Sequence, residues 1–400
     1  MNSIKTLNKF INKNNNYSDY YSRFGYKCFG PMLFSFSKWL YNNCVNNNIE
    51  KIYFLSRDGY IFKQAFDLFN FKNIKTEYFY ASRRSIIVPS LYMIDNPLQI
   101  FDLITFSDST KLKSLIKKIG LEDYDLSNVI DKYSLELDKE YKIEYLKNNC
   151  LDFLNEIFPM IKDNAKVELD NFNKYIKSVN FNGTVAIVDI GWFGTMQQAL
   201  QKIVSDVNIY GYYFGVYPYK DYGTTNIEGF AFDHKNNSEF YEEFRNFIQV
   251  FEFMTLASHG SVKKFNKDLS VEFYDYEYEN SDEKIVVSKI QKSAIKFVKD
   301  YIETNNDIDV YTSIYNFKKV CMRPTIEDSK NIGKINFMDD EIKRLVSYKN
   351  IFYYLFHPKK LFKDLNNSVW KIGFLKSYFK IKLPYNNMVN MLRKIKERGK

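Results

Sequence analysis

An aspartate followed by two glycines and a threonine forms the stretch of this sequence with the clearest chemical potential. Asp189 comes directly after an apolar run at residues 185–188, and Gly191, Gly194 and Thr195 follow it. Glycine lets a backbone approach a phosphate closely, and the free amides at the start of a helix favour an anion. The pattern therefore predicts a strand–loop–helix unit that holds a phosphate, with Asp189 facing hydroxyl groups of the same ligand.

Two other short polar loops follow strand-like runs, at residues 52–55 and 77–80. The first loop carries Arg57, Asp58 and Gly59, and the second carries Arg83 and Arg84. Because the carboxyl ends of parallel strands meet at one edge of a sheet, we expect these loops and the Asp189 loop to form one site. Two basic loops beside a glycine loop suit a sugar that carries several phosphates.

The elements that must position these residues follow from hydrophobic periodicity. Residues 61–70 predict an amphipathic helix after the first strand, and residues 209–217 predict a further strand. Pro31 is expected to open a helix after a polar lead-in at residues 1–30. The predicted fold class is α/β, with a parallel, Rossmann-like sheet and a hairpin near residues 262–278.

The chain divides into five predicted segments without long linkers. They are residues 1–94 (first helix and strands of the core), 95–180 (a helical insertion), 181–235 (the rest of the core), 236–357 (a mainly helical region) and 358–400 (a basic tail). The insertion has a charged helical pattern and is expected to act as a lid or to bind an acceptor.

The Asp189 loop resembles the ribose-phosphate loop of type I phosphoribosyltransferases. In that family an apolar strand ends in an acidic pair. After this pair come two apolar residues, two threonine-like residues and a glycine. Gly194 falls at the position of that glycine, and residues 56–59 lie where the family has its short pyrophosphate loop. Val188 replaces the first acidic residue and Trp192-Phe193 replace the small hydroxyl residues, so the ribose contacts and the depth of the phosphate pocket are expected to differ.

A second resemblance covers more of the chain, roughly residues 20–375. It is carried, in this order, by Gly30-Pro31, Trp39-Leu40, Tyr53-Phe54-Leu55-Ser56-Arg57-Asp58-Gly59-Tyr60, Ala81-Ser82-Arg83-Arg84, Asp189-Ile190-Gly191-Trp192-Phe193-Gly194-Thr195-Met196-Gln197, Phe251-Glu252-Phe253 and Ser258-His259-Gly260-Ser261. These segments resemble a bacterial surface-polysaccharide family that is often labelled HAD-hydrolase-like. The resemblance implies a phosphoribosyltransferase-like core and a glycosyltransferase that moves 5-phosphoribosyl from phosphoribosyl pyrophosphate to a lipid-linked or oligosaccharide acceptor. A separate phosphatase would then remove the 5-phosphate.

The resemblance also implies roles in donor binding. Arg57 and the amides around Gly59 would stabilise the departing pyrophosphate, and Mg²⁺ would bridge the pyrophosphate and the ribose hydroxyls. Asp189 would hold the ribose. The 5-phosphate would be held by Gly191, Gly194 and Thr195. The other expected substrate contacts are Arg83, Arg84, Trp192 and Gln197.

A base must also take the proton of the acceptor hydroxyl. Asp58 and Glu252 are both candidates, and the sequence does not choose between them. We hypothesise inversion at the anomeric carbon, which gives a β-linked 5-phosphoribosyl unit.

Each candidate also has a purely structural interpretation. Arg57-Asp58 could be an ion pair that closes a turn, Arg83-Arg84 could be surface charges, and Asp189 could cap the next helix. Trp192-Phe193 could pack within the loop. Glu252 lies inside an apolar run, so it requires either an arginine partner or a shifted pKa.

The HAD-hydrolase label of the family that this chain resembles can be checked against the residues that such a hydrolase requires. HAD phosphatases need an Asp-x-Asp pair at the end of a strand, in which one carboxylate attacks phosphorus. Residues 57–59 and 189–191 lack that pair, and Asp339-Asp340 has the wrong spacing. We therefore do not expect a phosphatase. A glycosyltransferase that uses a nucleotide sugar and a non-enzymatic scaffold of the same pathway remain alternatives.

Cysteine and histidine usage predicts neither a disulfide framework nor a metal site. The four cysteines are scattered, which is typical of buried thiols in a reducing cytoplasm. His234, His259 and His357 form no metal-ligand pattern, and His259 is expected to be structural. Residues 1–20 are too polar for a signal peptide, and no apolar window is long enough to span a membrane.

The net charge of +9 is concentrated at the carboxyl end of the chain. Residues 358–400 contain 12 Lys or Arg and two acidic residues, whereas the rest of the chain contains 45 basic and 46 acidic residues. Aromatic residues lie between these basic residues, as in segments that bind an anionic membrane surface. We expect a cytoplasmic protein. Its tail is expected either to contact the inner face of the membrane peripherally or to pack its aromatic residues on the body of the protein. No nucleic-acid recognition motif accompanies the charge.

Overall fold

The computed structural model describes residues 2–104, 106–218, 220–223, 225–233, 235, 238–338 and 342–398. Its strands are β1 Lys51–Leu55, β2 Lys75–Phe79, β3 Ser109–Lys111, β4 Glu140–Lys142, β5 Thr184–Trp192, β6 Asn208–Val216, β7 Ile227–Phe232, β8 Val262–Phe265, β9 Val271–Phe273, β10 Asn336–Met338 and β11 Ile342–Arg344. His234, Asp339 and Asp340, which the sequence argument considered, lie outside the described residues.

Helices account for most of the remaining chain. They are α1 Asn2–Asn14, α2 Tyr20–Phe24, α3 Gly30–Asn46, α4 Gly59–Asp67, α5 Arg83–Ser90, α6 Ile100–Leu103, α7 Leu112–Lys118, α8 Ser127–Lys132, α9 Ile143–Asn149, α10 Leu151–Ser178, α11 Thr195–Ile203, α12 Ser238–Phe244, α13 Ile248–Thr255, α14 Asp282–Ile302, α15 Val310–Met322, α16 Ile326–Gly333, α17 Ile351–Phe356, α18 Pro358–Asn367, α19 Lys371–Phe379 and α20 Tyr385–Arg398. A π-helical turn spans Gly25–Phe29, and 3₁₀ turns span Leu91–Met93 and Pro97–Gln99.

The central sheet has five parallel strands in the order β2-β1-β5-β6-β7. The chain passes from β1 to β2 on one side, then returns past β1 to β5 and continues outward on the other side. The strand order therefore reverses between β1 and β5, which is the arrangement of doubly wound α/β sheets. This confirms the predicted α/β class with a parallel sheet, and β1 and β2 match the two runs predicted as strands.

Alternating side chains on the central strands build two separate cores. Ile52 and Phe54 of β1 lie in one hydrophobic cluster, and Tyr53 and Leu55 lie in the other. Alternation with a period of two places successive residues on opposite faces of a sheet, so both faces of β1 are buried. Covering both faces requires helices on each side, and these helices come from distant parts of the sequence.

The N-terminal and C-terminal helices together cover the first face of the sheet. α3 and the π-helical turn pack against α14, and the rings of Tyr26 and Phe297 are 5.3 Å apart. The expectation of a polar lead-in at residues 1–30 is therefore incomplete, because this segment forms two helices and buries Tyr26 and Phe29. Pro31 lies in the first turn of α3, as predicted.

The predicted insertion covers the opposite face. The 28-residue helix α10 packs against α5, and α5 packs against α11. The insertion is not wholly helical, because β3 and β4 form a short antiparallel pair. The predicted hairpin is present as β8 and β9, and all four cysteines are buried free thiols. No helix in the described part of the chain combines the length and apolarity that crossing a bilayer requires.

Candidate active site

A pocket of about 360 Å³ opens beside the carboxyl end of β5. Its walls are formed by Arg83, Arg84 and Ile87 of α5, by Ser114, Lys117 and Lys118 of α7, by Asp189, Gly191, Trp192, Phe193, Gly194, Thr195 and Met196 at the β5–α11 junction, and by Ile104 and Tyr213. Ligands of open α/β sheets bind in such a crevice, outside the carboxyl ends of the strands at the point where the strand order reverses. Of the predicted site residues, Arg83, Arg84, Asp189 and the glycine loop meet here.

The glycine loop is shorter than the sequence predicted. β5 continues beyond Asp189, and Gly191 and Trp192 pair with Gly215 and Val216 of β6, so only two residues separate the strand from α11. Gly191 has a φ of +104°, and a Cβ atom there would lie 2.3 Å from the Gly215 carbonyl oxygen. Only glycine fits this position, because a side chain would clash with the backbone of the next strand.

The start of α11 offers unpaired backbone amides to the pocket. Gly194, with a φ of +62°, is the residue before the helix, and no side chain caps its amides. The first bond of the helix joins the Gln198 amide to the Gly194 carbonyl at 3.1 Å. The amides before Gln198 in the first turn have no carbonyl partner within the helix, as at any helix start. Such amides favour an anionic group such as phosphate.

Two carboxyl groups lie at the ends of the adjacent strands β1 and β5. Burial, together with the nearby charge of Asp58, raises the pKa of Asp189 to about 8. Burial also raises the pKa of Asp58. Two carboxylates that interact in surroundings with little water do not both ionise readily, so ionisation of one opposes ionisation of the other.

A hydroxyl contact holds the carboxyl group of Asp58. The Thr255 hydroxyl donates to Oδ1 of Asp58 at 2.6 Å, and its oxygen also lies 2.9 Å from the carbonyl oxygen of Glu252. The bond to Asp58 favours the ionised carboxylate and so opposes part of the rise in the pKa of Asp58 that burial causes. The sequence argument did not identify Thr255, since no motif marks it.

The two arginines at the start of α5 have different roles. Arg84 is bound by two carboxylates and a carbonyl: its Nε lies 3.1 Å from Glu122, its Nη2 lies 2.9 Å from Glu168, and its Nη1 lies 2.9 Å from the Lys263 carbonyl. Its guanidinium is thus held by the protein although it borders the pocket. Arg83 is exposed and makes no ion pair with any residue that the structure describes. Of these two arginines, Arg83 is therefore the one available to bind an anion.

Arg57, Asp58 and Gly59, in the predicted loop after β1, do not line this pocket. The Nη1 atom of Arg57 lies 2.5 and 2.6 Å from the two carboxylate oxygens of Glu277. Gly59 is buried at the start of α4. The ion pair thus joins the β1 loop to a distant segment, and its partner is not the neighbouring Asp58 that the turn interpretation proposed.

His259 has a structural hydrogen-bonding pattern. Its Nδ1 lies 2.8 Å from the carbonyl oxygen of Gly260, and its Nε2 lies 2.8 Å from the Tyr78 hydroxyl. A carbonyl oxygen only accepts, so Nδ1 carries the proton and Nε2 accepts from Tyr78. Burial, with a smaller contribution from the charge of Arg57, lowers the pKa of His259. The ring is neutral at physiological pH, in agreement with the structural role expected for it.

A side-chain hydrogen bond joins Trp192 to Glu252. The indole Nε1 of Trp192 donates to Oε1 of Glu252 at 2.9 Å, and the indole stacks on Phe232 with ring centroids 6.0 Å apart. Trp192 has a φ of +82°, a conformation that a bulky residue adopts only when its surroundings enforce it. Glu252 does not line the pocket. It therefore positions the turn through Trp192.

Gln197, which is predicted to bind substrate, is buried in the core. Its side chain is buried, and its Nε2 donates to the carbonyls of Ile209 and Asn226 at 3.0 and 2.9 Å. Its Oε1 accepts from the Tyr213 hydroxyl at 3.0 Å. All of these groups hold α11 against β6, and the amide does not line the pocket.

Helix α7 lines the pocket, although the sequence did not predict it there. Ser114, Lys117 and Lys118 of the insertion line the pocket together with the β5–α11 junction. The ammonium of Lys117 lies 4.1 Å from the ring centroid of Tyr274. The two adjacent lysines in an amphipathic helix were the available signal, but a lysine pair on a helix usually marks a solvated face.

Comparison with known proteins adds no identification to this geometry. No protein-family model matches the chain, and no curated protein matches it. Among the described residues, no group of three or more His, Cys, Asp or Glu side chains could hold a metal ion.

Proposed function

We propose that this protein is a glycosyltransferase that moves 5-phosphoribosyl from phosphoribosyl pyrophosphate to a glycan acceptor during surface-polysaccharide synthesis. The observation that carries the proposal is the pocket itself. The glycine loop, the start of α11, Arg83, two lysines of α7 and Asp189 all line it. Several anion-binding groups and a carboxyl group in one pocket suit a sugar that is phosphorylated at both ends.

We assign each part of the donor to the pocket-lining groups whose chemistry suits it. The 5-phosphate would lie against the amides of the first turn of α11, with Gly191 and Gly194 allowing close approach. The pyrophosphate would lie against Arg83 and α7, which replaces the earlier assignment of this role to Arg57. Positive charge at this position stabilises the leaving pyrophosphate as negative charge develops on it.

Mg²⁺ fits this arrangement only when most of its ligands come from the donor. Without a cluster of three ligands among the described residues, the ion would be held by pyrophosphate oxygens together with Asp189. Binding through one or two carboxylates and substrate phosphates is typical of Mg²⁺. The ion would supply charge neutralisation at the leaving pyrophosphate.

Acceptor activation is assigned to Asp58, which does not line the pocket but interacts electrostatically with Asp189, which does. As a carboxylate, Asp58 would accept the proton of the acceptor hydroxyl. The acceptor oxygen bonds to the anomeric carbon as the bond to pyrophosphate breaks, with inversion to a β linkage. The acceptor would be a lipid-linked or free oligosaccharide in the cytoplasm, and a separate phosphatase would act on the product.

Calorimetric titration with phosphoribosyl pyrophosphate, with and without Mg²⁺, tests the donor site. Asp189→Asn should abolish the Mg²⁺-dependent part of binding. Asp206→Asn is the matched control, since this exposed aspartate lies before β6, at the opposite edge of the sheet. Binding of a nucleoside diphosphate sugar, with no binding of phosphoribosyl pyrophosphate, would refute the proposal and favour a nucleotide-sugar enzyme.

A further inference from the structure

A group of large apolar side chains is exposed on two consecutive short helices near the C-terminus. Phe352, Leu355 and Phe356 of α17 are 71%, 66% and 81% exposed, and Phe362 of α18 is 63% exposed. We call these four residues the α17–α18 patch. Single exposed apolar residues are ordinary, but four large ones within eleven positions mark an interaction surface.

The patch is not a misplaced part of the core, because both helices already use their other faces to dock. Tyr354 of α17 and Leu365 of α18 are buried, and the Tyr354 hydroxyl donates to Asp364 at 2.9 Å. Tyr354 also packs on Phe374 of α19, with ring centroids 6.1 Å apart. The helices are therefore fixed to the body with the patch held outward.

The charges beside the patch are basic. Lys359, Lys360 and Lys363 are exposed on α18, and none of them forms an ion pair with a residue of the described structure. Asp364 is the single acidic residue of the sequence between positions 342 and 396, and it accepts the hydrogen bond of Tyr354. Aromatic and aliphatic side chains surrounded by lysines match a lipid surface that carries negative charge.

We propose that the α17–α18 patch binds peripherally to an anionic membrane, with the aromatic rings inserted at the headgroup boundary and the three lysines on the lipid phosphates. Within the basic tail at residues 358–400, this contact uses only α18. Trp370, Ile372 and Phe374 of the basic tail are buried in the core and cannot reach a membrane. The contact also begins before the basic tail, in α17. A second copy of the chain is a poorer occupant, because pairing the patch with itself in a twofold contact would bring the lysines of both copies together.

Vesicle co-sedimentation of the full chain tests this proposal. The probes are vesicles of phosphatidylcholine alone and vesicles in which phosphatidylglycerol replaces about one-third of the phosphatidylcholine. We expect binding to the anionic vesicles that weakens at high salt. Phe352→Ser with Phe356→Ser should reduce partitioning on the order of tenfold or more. Replacing the three lysines by glutamine should reduce it on the order of 100-fold.

Matched controls separate this contact from general stickiness. Ile285→Ser removes an apolar residue that is 57% exposed on α14, and Lys166→Gln removes an exposed lysine on α10. Both should leave vesicle binding unchanged. In a Phe356→Trp variant, the emission should shift to shorter wavelength when anionic vesicles are added.

Three results would overturn the proposal. They are no binding by the unmodified chain, equal binding by the patch variants, and self-association that the patch variants abolish while vesicle binding persists. Because the test requires no donor or acceptor sugar, its outcome is independent of the proposed transferase activity.

Discussion

Replacing Asp189 by asparagine should make the stability of the protein less dependent on pH. The unfolded chain releases the Asp189 proton near its ordinary pKa of 3.8, whereas the folded chain retains it up to about pH 8. The stabilising contribution of Asp189 is therefore fully present below pH 4 and is lost as the pH rises through about 8. Asparagine has no such proton, so the variant should gain stability relative to the unmodified chain as the pH rises.

The magnitude follows from the size of the pKa change. Between pH 5.5 and 8.5, about 2.5 pH units lie below the folded-state pKa, and about 1.4 kcal/mol per unit gives roughly 3.5 kcal/mol. Asp189 borders an open pocket and interacts with the nearby charge of Asp58, so we discount this figure for solvent screening and for the coupling of the two groups. We therefore expect the variant to gain about 1–2 kcal/mol relative to the unmodified chain over this interval.

Urea unfolding at pH 5.5, 7.0 and 8.5 measures this difference, followed by circular dichroism and by tryptophan fluorescence. Asp206→Asn is again the control, and its difference from the unmodified chain should be the same at all three pH values. A difference for Asp189→Asn that stays constant within about 0.3 kcal/mol, or that falls as the pH rises, would refute the account of the buried carboxyl pair.

The other predictions concern the residues around the pocket. Arg83→Ala should weaken donor binding about 10- to 100-fold in calorimetry and leave the melting temperature unchanged. Arg84→Ala should instead cost about 3–5 kcal/mol in unfolding free energy, because it leaves buried carboxylates unpaired; equal stability of the two variants would contradict this assignment. Trp192→Phe keeps the ring but removes the hydrogen bond to Glu252, so it should cost about 1–3 kcal/mol and alter the KM for the donor. Gln197→Leu should destabilise the fold by a similar amount without changing donor affinity in the fraction that remains folded; a specific loss of affinity would restore Gln197 to the binding site.

Local pattern in the sequence predicted the parallel core. Apolar runs at residues 52–55 and 185–188 are too short and too rich in β-branched and aromatic residues for helices, and both form central strands. Gly191 and Gly194 both have positive φ angles, a backbone conformation that glycine adopts readily. Such properties depend on a residue and its immediate neighbours, which is why they can be predicted without the tertiary structure.

Side-chain roles were less predictable, because they depend on partners that are distant in sequence. Arg83 and Arg84 are adjacent in sequence, yet Glu122 and Glu168 form hydrogen bonds only with Arg84. Nothing near Gln197 in the sequence indicates that it faces β6 instead of the pocket. An amide or guanidinium is available to a ligand only when the fold leaves it without a partner, and sequence proximity does not decide that.

The sequence by itself determined the α/β class, the parallel strands, the glycine turn and the basic character of the C-terminal end. Only the tertiary structure decided that α7 lines the pocket, that Asp58 and Asp189 interact electrostatically, and that Trp370 is buried whereas an apolar patch on α17 and α18 is exposed. The physical reason is the range of the interactions involved. Periodicity and backbone conformation act over a few residues, whereas burial, charge coupling and pocket shape arise where segments distant in sequence pack together.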